Sequence, residues 1–245
     1  MKMFKRLHLA TNLATLDEER KILDAYLQPR KEAGNGHLNI LEAGCGRKCR
    51  LPLQDLQFTL TGVDFDKNAL DLRREKQKDL HIAVVGDLRS VALEENSFDI
   101  IFSCNVLEHM DNAELVLKNF VRWLRPGGCM ILMFPNRDAA YSFVTRITPF
   151  WVHVLYKRYI QKVKNAGKPG FDPYPVHFDK IVSRRGIYDF CIKQKLVMKA
   201  EYRMDRRPGL GLWLCTSLLL WGLATLSFGT LSVNHRNLLY ILEKR

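Results

Sequence analysis

The chain has 245 residues, 47% of them apolar and 26% charged, with a formal net charge of +12. That length and balance describe one globular domain able to bury a substantial core, and they exclude a fibrous or disordered chain. The charge is lopsided: residues 1–120 hold 17 Lys and Arg against 19 Asp and Glu, whereas residues 121–245 hold 21 against 7, so the second half favours an anionic partner such as nucleic acid, a membrane surface or a phosphorylated substrate.

The basic start MKMFKRLHLA is followed by no apolar run of signal-peptide length. Thr15-Leu-Asp-Glu18 is a capping-box pattern, which predicts a helix running to about Leu27, ahead of Pro29. Lys31–His37 is polar and glycine-bearing and reads as a loop. Leu38–Ala43 reads as a short buried strand that stops at the turn Gly44-Cys45-Gly46. The next helix is expected to begin near Arg47–Arg50. Phe58–Asp64 is a second strand, and Asp66–Arg74 has helical spacing. His81–Val85 and Phe98–Cys104 are strands three and four. Asp111–Leu124 is an amphipathic helix, with Asp111 and Glu114 favourable at its positive end. Arg125–Gly128 turns the chain into a fifth strand, Cys129–Phe134. Five strands alternating with helices predict an α/β fold with a doubly wound parallel sheet.

The glycine turn carries the first functional signal. Gly44 and Gly46 lack a Cβ, so the backbone there can turn tightly and approach a ligand. Glu42 stands at the carboxyl end of its strand, where ligands bind in open α/β sheets. Asp64 ends the next strand and is placed to accept both hydroxyls of a ribose. The glycines alone fit any strand-to-helix turn. With Glu42 and Asp64 in register they point to a nucleoside-binding βαβ unit. A dinucleotide would want a third glycine where this chain has Cys49.

Glu42-Ala-Gly-Cys-Gly46, Val63-Asp64, Gly86-Asp87-Leu88, Asn105-Val-Leu-Glu-His109 and Leu124-Arg-Pro-Gly-Gly128 occur in the order and spacing of a known family. Over residues 35–136 the chain resembles the class I S-adenosylmethionine-dependent methyltransferases, particularly the group that includes the ubiquinone-biosynthesis O-methyltransferases. The resemblance implies a seven-stranded, mostly parallel sheet whose last strand is antiparallel. It implies S-adenosylmethionine as cofactor. Gly44, Cys45 and Gly46 would pass under its methionine part, with Glu42 near the amino group. Asp64 and Phe65 would lie at the ribose, Asp87 at the adenine amino group and Leu88 beside it. Cys104 and Asn105 would line the methyl-donor end. The chain departs from the family after Gly46, where Arg47-Lys48 stand in place of a frequent third glycine.

The whole chain reads as one methyltransferase domain, with residues 137–180 as a cap or substrate region and 208–234 as a hydrophobic insertion. Ala139–Val163 interleaves aromatic and basic residues. It reads either as an interfacial helix or as a cap that faces the core. Lys168–His177 holds three prolines and one glycine, as a rigid loop does. Leu196–Tyr202 and Asn237–Leu242 are the last two strands. Between them Leu210–Val233 has no charge, and Arg206-Arg207 and Arg236 flank it. Its length suffices for one span, yet the two strands beside it must pair. Gly222 divides it into halves of about eleven residues, roughly 16 Å each if helical. We therefore expect a hairpin dipping into one leaflet, its basic flanks on anionic headgroups. A soluble dimerisation hairpin is the alternative.

Methyl transfer asks the enzyme mainly to position a nucleophile and exclude water. A hydroxyl acceptor also needs a base, for which His109 is suitable; it equally fits a residue that orders the start of a helix. His177 and His153 are further candidates. Quinone methyltransferases that bind a divalent metal through Glu-x-x-Glu-His have a carboxylate where this chain has Asn105, so no metal is expected. The six cysteines are scattered without zinc-site spacing, as in a cytosolic protein. The leading expectation is an enzyme on the cytoplasmic face of a membrane, peripheral or monotopic, that methylates a lipid-like or polyprenyl-linked acceptor, with O-methylation favoured. A methyltransferase of a soluble sugar or small natural product is the second. The third is a non-catalytic nucleic-acid-binding protein of the same fold. It is disfavoured because the basic charge flanks apolar stretches and forms no nucleic-acid module.

Overall fold

The computed structural model describes residues 11–13, 15–33, 37–54, 56–168, 171, 173–204, 222, 225–227, 230–233 and 235–245. The strands are β1 (Thr11–Asn12), β2 (His37–Ala43), β3 (Gln57–Asp64), β4 (Ile82–Val85), β5 (Phe98–Cys104), β6 (Leu124–Pro135), β7 (Val197–Arg203) and β8 (Asn237–Glu243). They form one sheet in the order β1-β7-β8-β6-β5-β2-β3-β4. β8 is antiparallel to β6 and β7, and every other pairing is parallel.

The central strands are apolar because both of their faces are covered. Alternate residues feed two cores. Leu41, Ile101, Met130 and Leu132 pack with Val116, Leu117 and Phe120 of helix α3 (Ala113–Trp123) and with Ile187 and Phe190 of α6 (Arg184–Gln194). Ile40, Ile100 and Ile131 pack on the other side with Leu23 and Leu27 of α1 (Leu16–Ala33). The capping box is made: Thr15 Oγ1 accepts from Glu18 N, and Glu18 Oε2 accepts from Thr15 N.

Several expectations change. Among the described residues the sheet has eight strands, not seven. The open edge of β7 takes up Thr11 and Asn12 opposite Tyr202 and Arg203, and Leu13 N adds a bond to Arg203 O at 2.8 Å. Two polar residues carry no strand pattern, so this pairing had no sequence signal. α1 continues past Pro29 to Ala33, although a proline interior to a helix forfeits one backbone hydrogen bond. No helix starts at Arg47 among the described residues. The β2–β3 crossover is irregular instead and buries Leu51 in the layer with α1. Arg125–Gly128 belongs to the start of β6, whose pairing with β5 shifts register between Phe98 and Ile100. The expected hairpin over 208–234 falls mostly outside the described residues. No helix among the described residues is long and apolar enough to cross a membrane.

Helices α2 (Lys67–Leu72), α4 (Ala140–Ile147) and α5 (Phe150–Leu155) complete the fold. α2 starts on Asp66, whose side chain accepts from Asn68 N. Wider turns extend α2 over Arg73–Gln77 and α5 over Tyr156–Ile160.

Candidate active site

The carboxyl ends of β2, β3 and β5 open onto a cavity of about 620 Å³, a usual size for a small-molecule site. The glycine turn forms its floor. Gly44 has φ +69°, and a Cβ there would come within 2.3 Å of Val106 Cγ2. Gly46 has φ +54°, and its N–H donates to Asp64 Oδ2 at 2.8 Å. Asp64 Oδ1 accepts from Asp66 N at 2.9 Å. One carboxylate thus pins both the turn and the approach to α2. Each of its oxygens keeps a second lone pair for a ligand hydroxyl.

Gly44, Cys45, Gly46, Asp64, Phe65, Asp87, Leu88, Cys104, Asn105, His109 and His177 all line this cavity. Glu42 does not. It is buried beneath the turn, where Arg73 Nη2 donates to its Oε2 at 2.8 Å. Burial pushes the Glu42 carboxyl up to about 7, and the Arg73 guanidinium opposes that rise. Burial also works against the charge on Arg73, but hydrogen bonds to Asp79 and Glu42 outweigh it and raise its pKa. Arg73 further donates to Cys45 O at 2.8 Å. Glu42 therefore shapes the turn through Arg73 and stands behind the cavity wall.

Two cations that the sequence reading passed over hold other parts of the wall. Arg89 grips both oxygens of Asp87, with Nη2 at 2.6 Å from Oδ2, and reaches Asp111 as well. The Arg89 hydrogen bond holds the Asp87 carboxyl below its ordinary value. Arg50 Nη1 lies 3.0 Å from Cys104 Sγ, and burial pushes the Cys104 thiol up to about 11. That thiol is neutral and serves as wall rather than nucleophile. Asn105 has φ +55°, with its N–H donated to Met133 O.

The roof comes from the stretch after α5. His177 N and Phe178 N donate to Glu108 O at 2.8 and 3.1 Å. Phe65, which is 74% exposed, meets Tyr174 edge-on at 6.4 Å between centroids, and Tyr174 meets His109 at 5.8 Å. Arg47 lies over the Phe171 ring at 4.0 Å, clasping the glycine turn to the same loop. His109 Nδ1 is 2.7 Å from Pro175 O. A carbonyl only accepts, so Nδ1 carries a proton, and in the neutral form of the ring the lone pair is on Nε2, which lies 3.8 Å from Glu108 Oε1. The exposed His177 makes the second candidate base. His153 lies elsewhere, with Nε2 3.0 Å from Thr145 O. Among the described residues no group of three His, Cys, Asp or Glu is gathered as for a metal ion.

A sheet of this order with an antiparallel β8, and a nucleoside-sized cavity over a glycine turn and a following strand-end aspartate, are the arrangement that the resemblance to class I S-adenosylmethionine-dependent methyltransferases implies. Residues 41–132 match the family model described as a methyltransferase domain. S-adenosylmethionine is the cofactor that family and fold imply. Asp64, the glycine turn and the apolar wall of Leu88, Val106 and Phe65 suit a nucleoside whose flat base packs on apolar side chains.

The chain is 30% identical to a ubiquinone biosynthesis O-methyltransferase of Bradyrhizobium diazoefficiens over 42% of this chain and 42% of that one. It is 28% identical to a sterol 4-C-methyltransferase of Caenorhabditis elegans over 48% of this chain and 36% of that one. These matches thus span well under half of each curated relative. A putative sarcosine dimethylglycine methyltransferase from Galdieria sulphuraria shares the fold at TM-score 0.57 and 14% identity, over 97% of this chain and 92% of that one.

Proposed function

We propose that the chain is a membrane-associated methyltransferase that uses S-adenosylmethionine to methylate a lipid-like or polyprenyl-linked acceptor, O-methylation being favoured. The observation that carries the catalytic part is the cavity itself. Asp64 anchors its floor, and a histidine with a defined tautomer stands in its wall. The cofactor supplies a methyl group on a cationic sulfur. The chain's own part is to seat the ribose on Asp64, to line the base with Leu88 and to exclude water with the Tyr174–Pro175 roof. His109 Nε2 takes the acceptor proton. The lipid-like acceptor is supported by the uncharged run Leu210–Val233 and by relatives named for sterol and ubiquinone chemistry. The cytoplasmic face of a membrane is the location this reading assigns.

Two variants test it by separating affinity from turnover. Asp64→Ala removes charge-assisted hydrogen bonds worth about 1.5–3 kcal/mol each, so calorimetry should show much weaker S-adenosylmethionine binding. His109→Ala should bind the cofactor as wild type does and turn over roughly 10²–10⁴-fold more slowly on a hydroxyl acceptor from a membrane extract. Unchanged affinity in Asp64→Ala would refute the cofactor site. Full turnover in His109→Ala would remove that residue from the mechanism.

A further inference from the structure

Residues 139–171 contain Arg146, Lys157, Arg158, Lys162, Lys164 and Lys168 and not one Asp or Glu. The same stretch is apolar on its outside. Half of the exposed large hydrophobic side chains among the described residues lie between Tyr141 and Ile160. Trp151 is 63% exposed, Tyr159 69% and Ile160 64%. Neither α5 nor the turn over Tyr156–Ile160 contains a buried residue, so this segment is not a cap that faces the core. Yet it is held in place. His153 Nε2 lies 3.0 Å from Thr145 O, and Arg158 Nη2 donates to Ala166 O at 2.9 Å. Gly167 sits so close under Val154 that a Cβ would come within 2.8 Å of it.

We propose that the surface formed by α4, α5, the turn that follows and the chain on to Lys168 is a docking face for an anionic phospholipid bilayer. The choice of partner follows from three observations. The charge is of one sign over 33 consecutive residues, which suits anionic headgroups. Trp and Tyr beside Lys and Arg are the residues of a membrane interface, whereas exposed Ile147, Leu155 and Ile160 have no use for a nucleic-acid backbone. The face is also continuous with the end of the uncharged run. Ala140 N donates to Ser232 O at 2.9 Å, Ser232 N donates to Asp138 O at 2.8 Å, and the Arg236 guanidinium lies 5.8 Å from the Tyr141 ring. The same chain then leads directly into the Tyr174–Pro175 roof, so a docked face brings the cavity's cover to the bilayer.

The inference rests on the membrane-associated reading above and adds a second contact to it. The test uses the full chain and vesicles of phosphatidylcholine, alone or in equal mixture with phosphatidylglycerol. Wild type should sediment with the mixed vesicles more strongly than with the neutral ones. Trp151→Ala/Tyr159→Ala should weaken that binding by roughly tenfold or more, from lost apolar burial. Lys164→Glu/Lys168→Glu should weaken it by at least about fivefold per charge on mixed vesicles only. Cofactor affinity measured by calorimetry stays at the wild-type value in both, because none of these residues lines the cavity. Variants that bind mixed vesicles as tightly as wild type overturn the docking face and leave the membrane reading through 210–233 standing. Wild type that binds neither vesicle, or that binds single-stranded RNA in their place, overturns both.

Discussion

Glu108 is the residue most at odds with its surroundings. Its carboxyl is buried, its Oε2 has no hydrogen-bond partner among the described residues, and burial pushes its pKa up to about 8. It is therefore mostly protonated in the folded chain at neutral pH, whereas the unfolded chain titrates near 4.5. A raised folded value gives a contribution that is fully present below the unfolded pKa and is lost as pH rises through the folded one. Stability should fall between about pH 4.5 and 8 by on the order of 1.4 kcal/mol per unit at most. Glu108→Gln copies the neutral carboxyl, so its melting temperature should be flatter across that window. A parallel decline in both proteins would acquit Glu108. At this same scale the sequence was readable where the demand is local. Gly44 and Gly46 were legible because only glycine sits easily at positive φ, and Asp64 because a strand end fixes where it points. Arg73 was not legible. It sits in the charged run Asp71–Lys78, where a solvated arginine and one that is fully buried under a glycine turn look alike.

Among the elements, α6, β7 and β8 depend on one carboxylate. Glu201 of β7 accepts from Arg184 Nε at 2.7 Å and Nη2 at 2.8 Å, from Tyr240 at 2.7 Å and from Tyr188 at 3.0 Å. Burial pushes its pKa up, but the hydrogen bonds from Arg184 and Tyr240 prevail and hold it below the usual value. A depressed folded pKa means the contribution exists above the unfolded value and is lost as pH falls through the folded one. Glu201→Ala removes four hydrogen bonds from a buried carboxylate and leaves a half-buried guanidinium without them, which should cost about 1–3 kcal/mol, read from the urea midpoint at neutral pH. If its midpoint matched that of a substitution at the exposed Glu75, the network would be ornamental to the fold. The strands themselves were legible because a strand covered on both faces is written as an unbroken apolar run, as in Ile100–Phe102 and Met130–Met133. β1 and the irregular β2–β3 crossover were not. In both, tertiary contacts decide the conformation: an open sheet edge for Thr11–Asn12, and the prior cover of α1 for the crossover.

The sheet constrains how the whole molecule can meet a bilayer. β7 and β8 pair antiparallel up to Arg203 and Leu238, and Met204 N donates to Asn237 O at 2.8 Å. The chain thus leaves the sheet and returns to it at one point. Any bilayer entry by Leu210–Val233 must come back to the side it left, since a single crossing would tear β8 from its partners. The charge agrees, because Arg206, Arg207 and Arg236 flank the run at both ends and each basic group near an anionic leaflet is worth about 1 kcal/mol. On the membrane-associated reading proposed above, burial of the run itself would contribute roughly 25 cal/mol per Å² of apolar surface, a term that salt does not screen. Detergent should therefore release the protein from membranes, while high salt alone should not. In sealed vesicles of known orientation, trypsin added to the face opposite the domain should cut at neither Arg206 nor Arg236. Cleavage at Arg236 from that face, or complete release by salt, would leave the re-entrant arrangement without support.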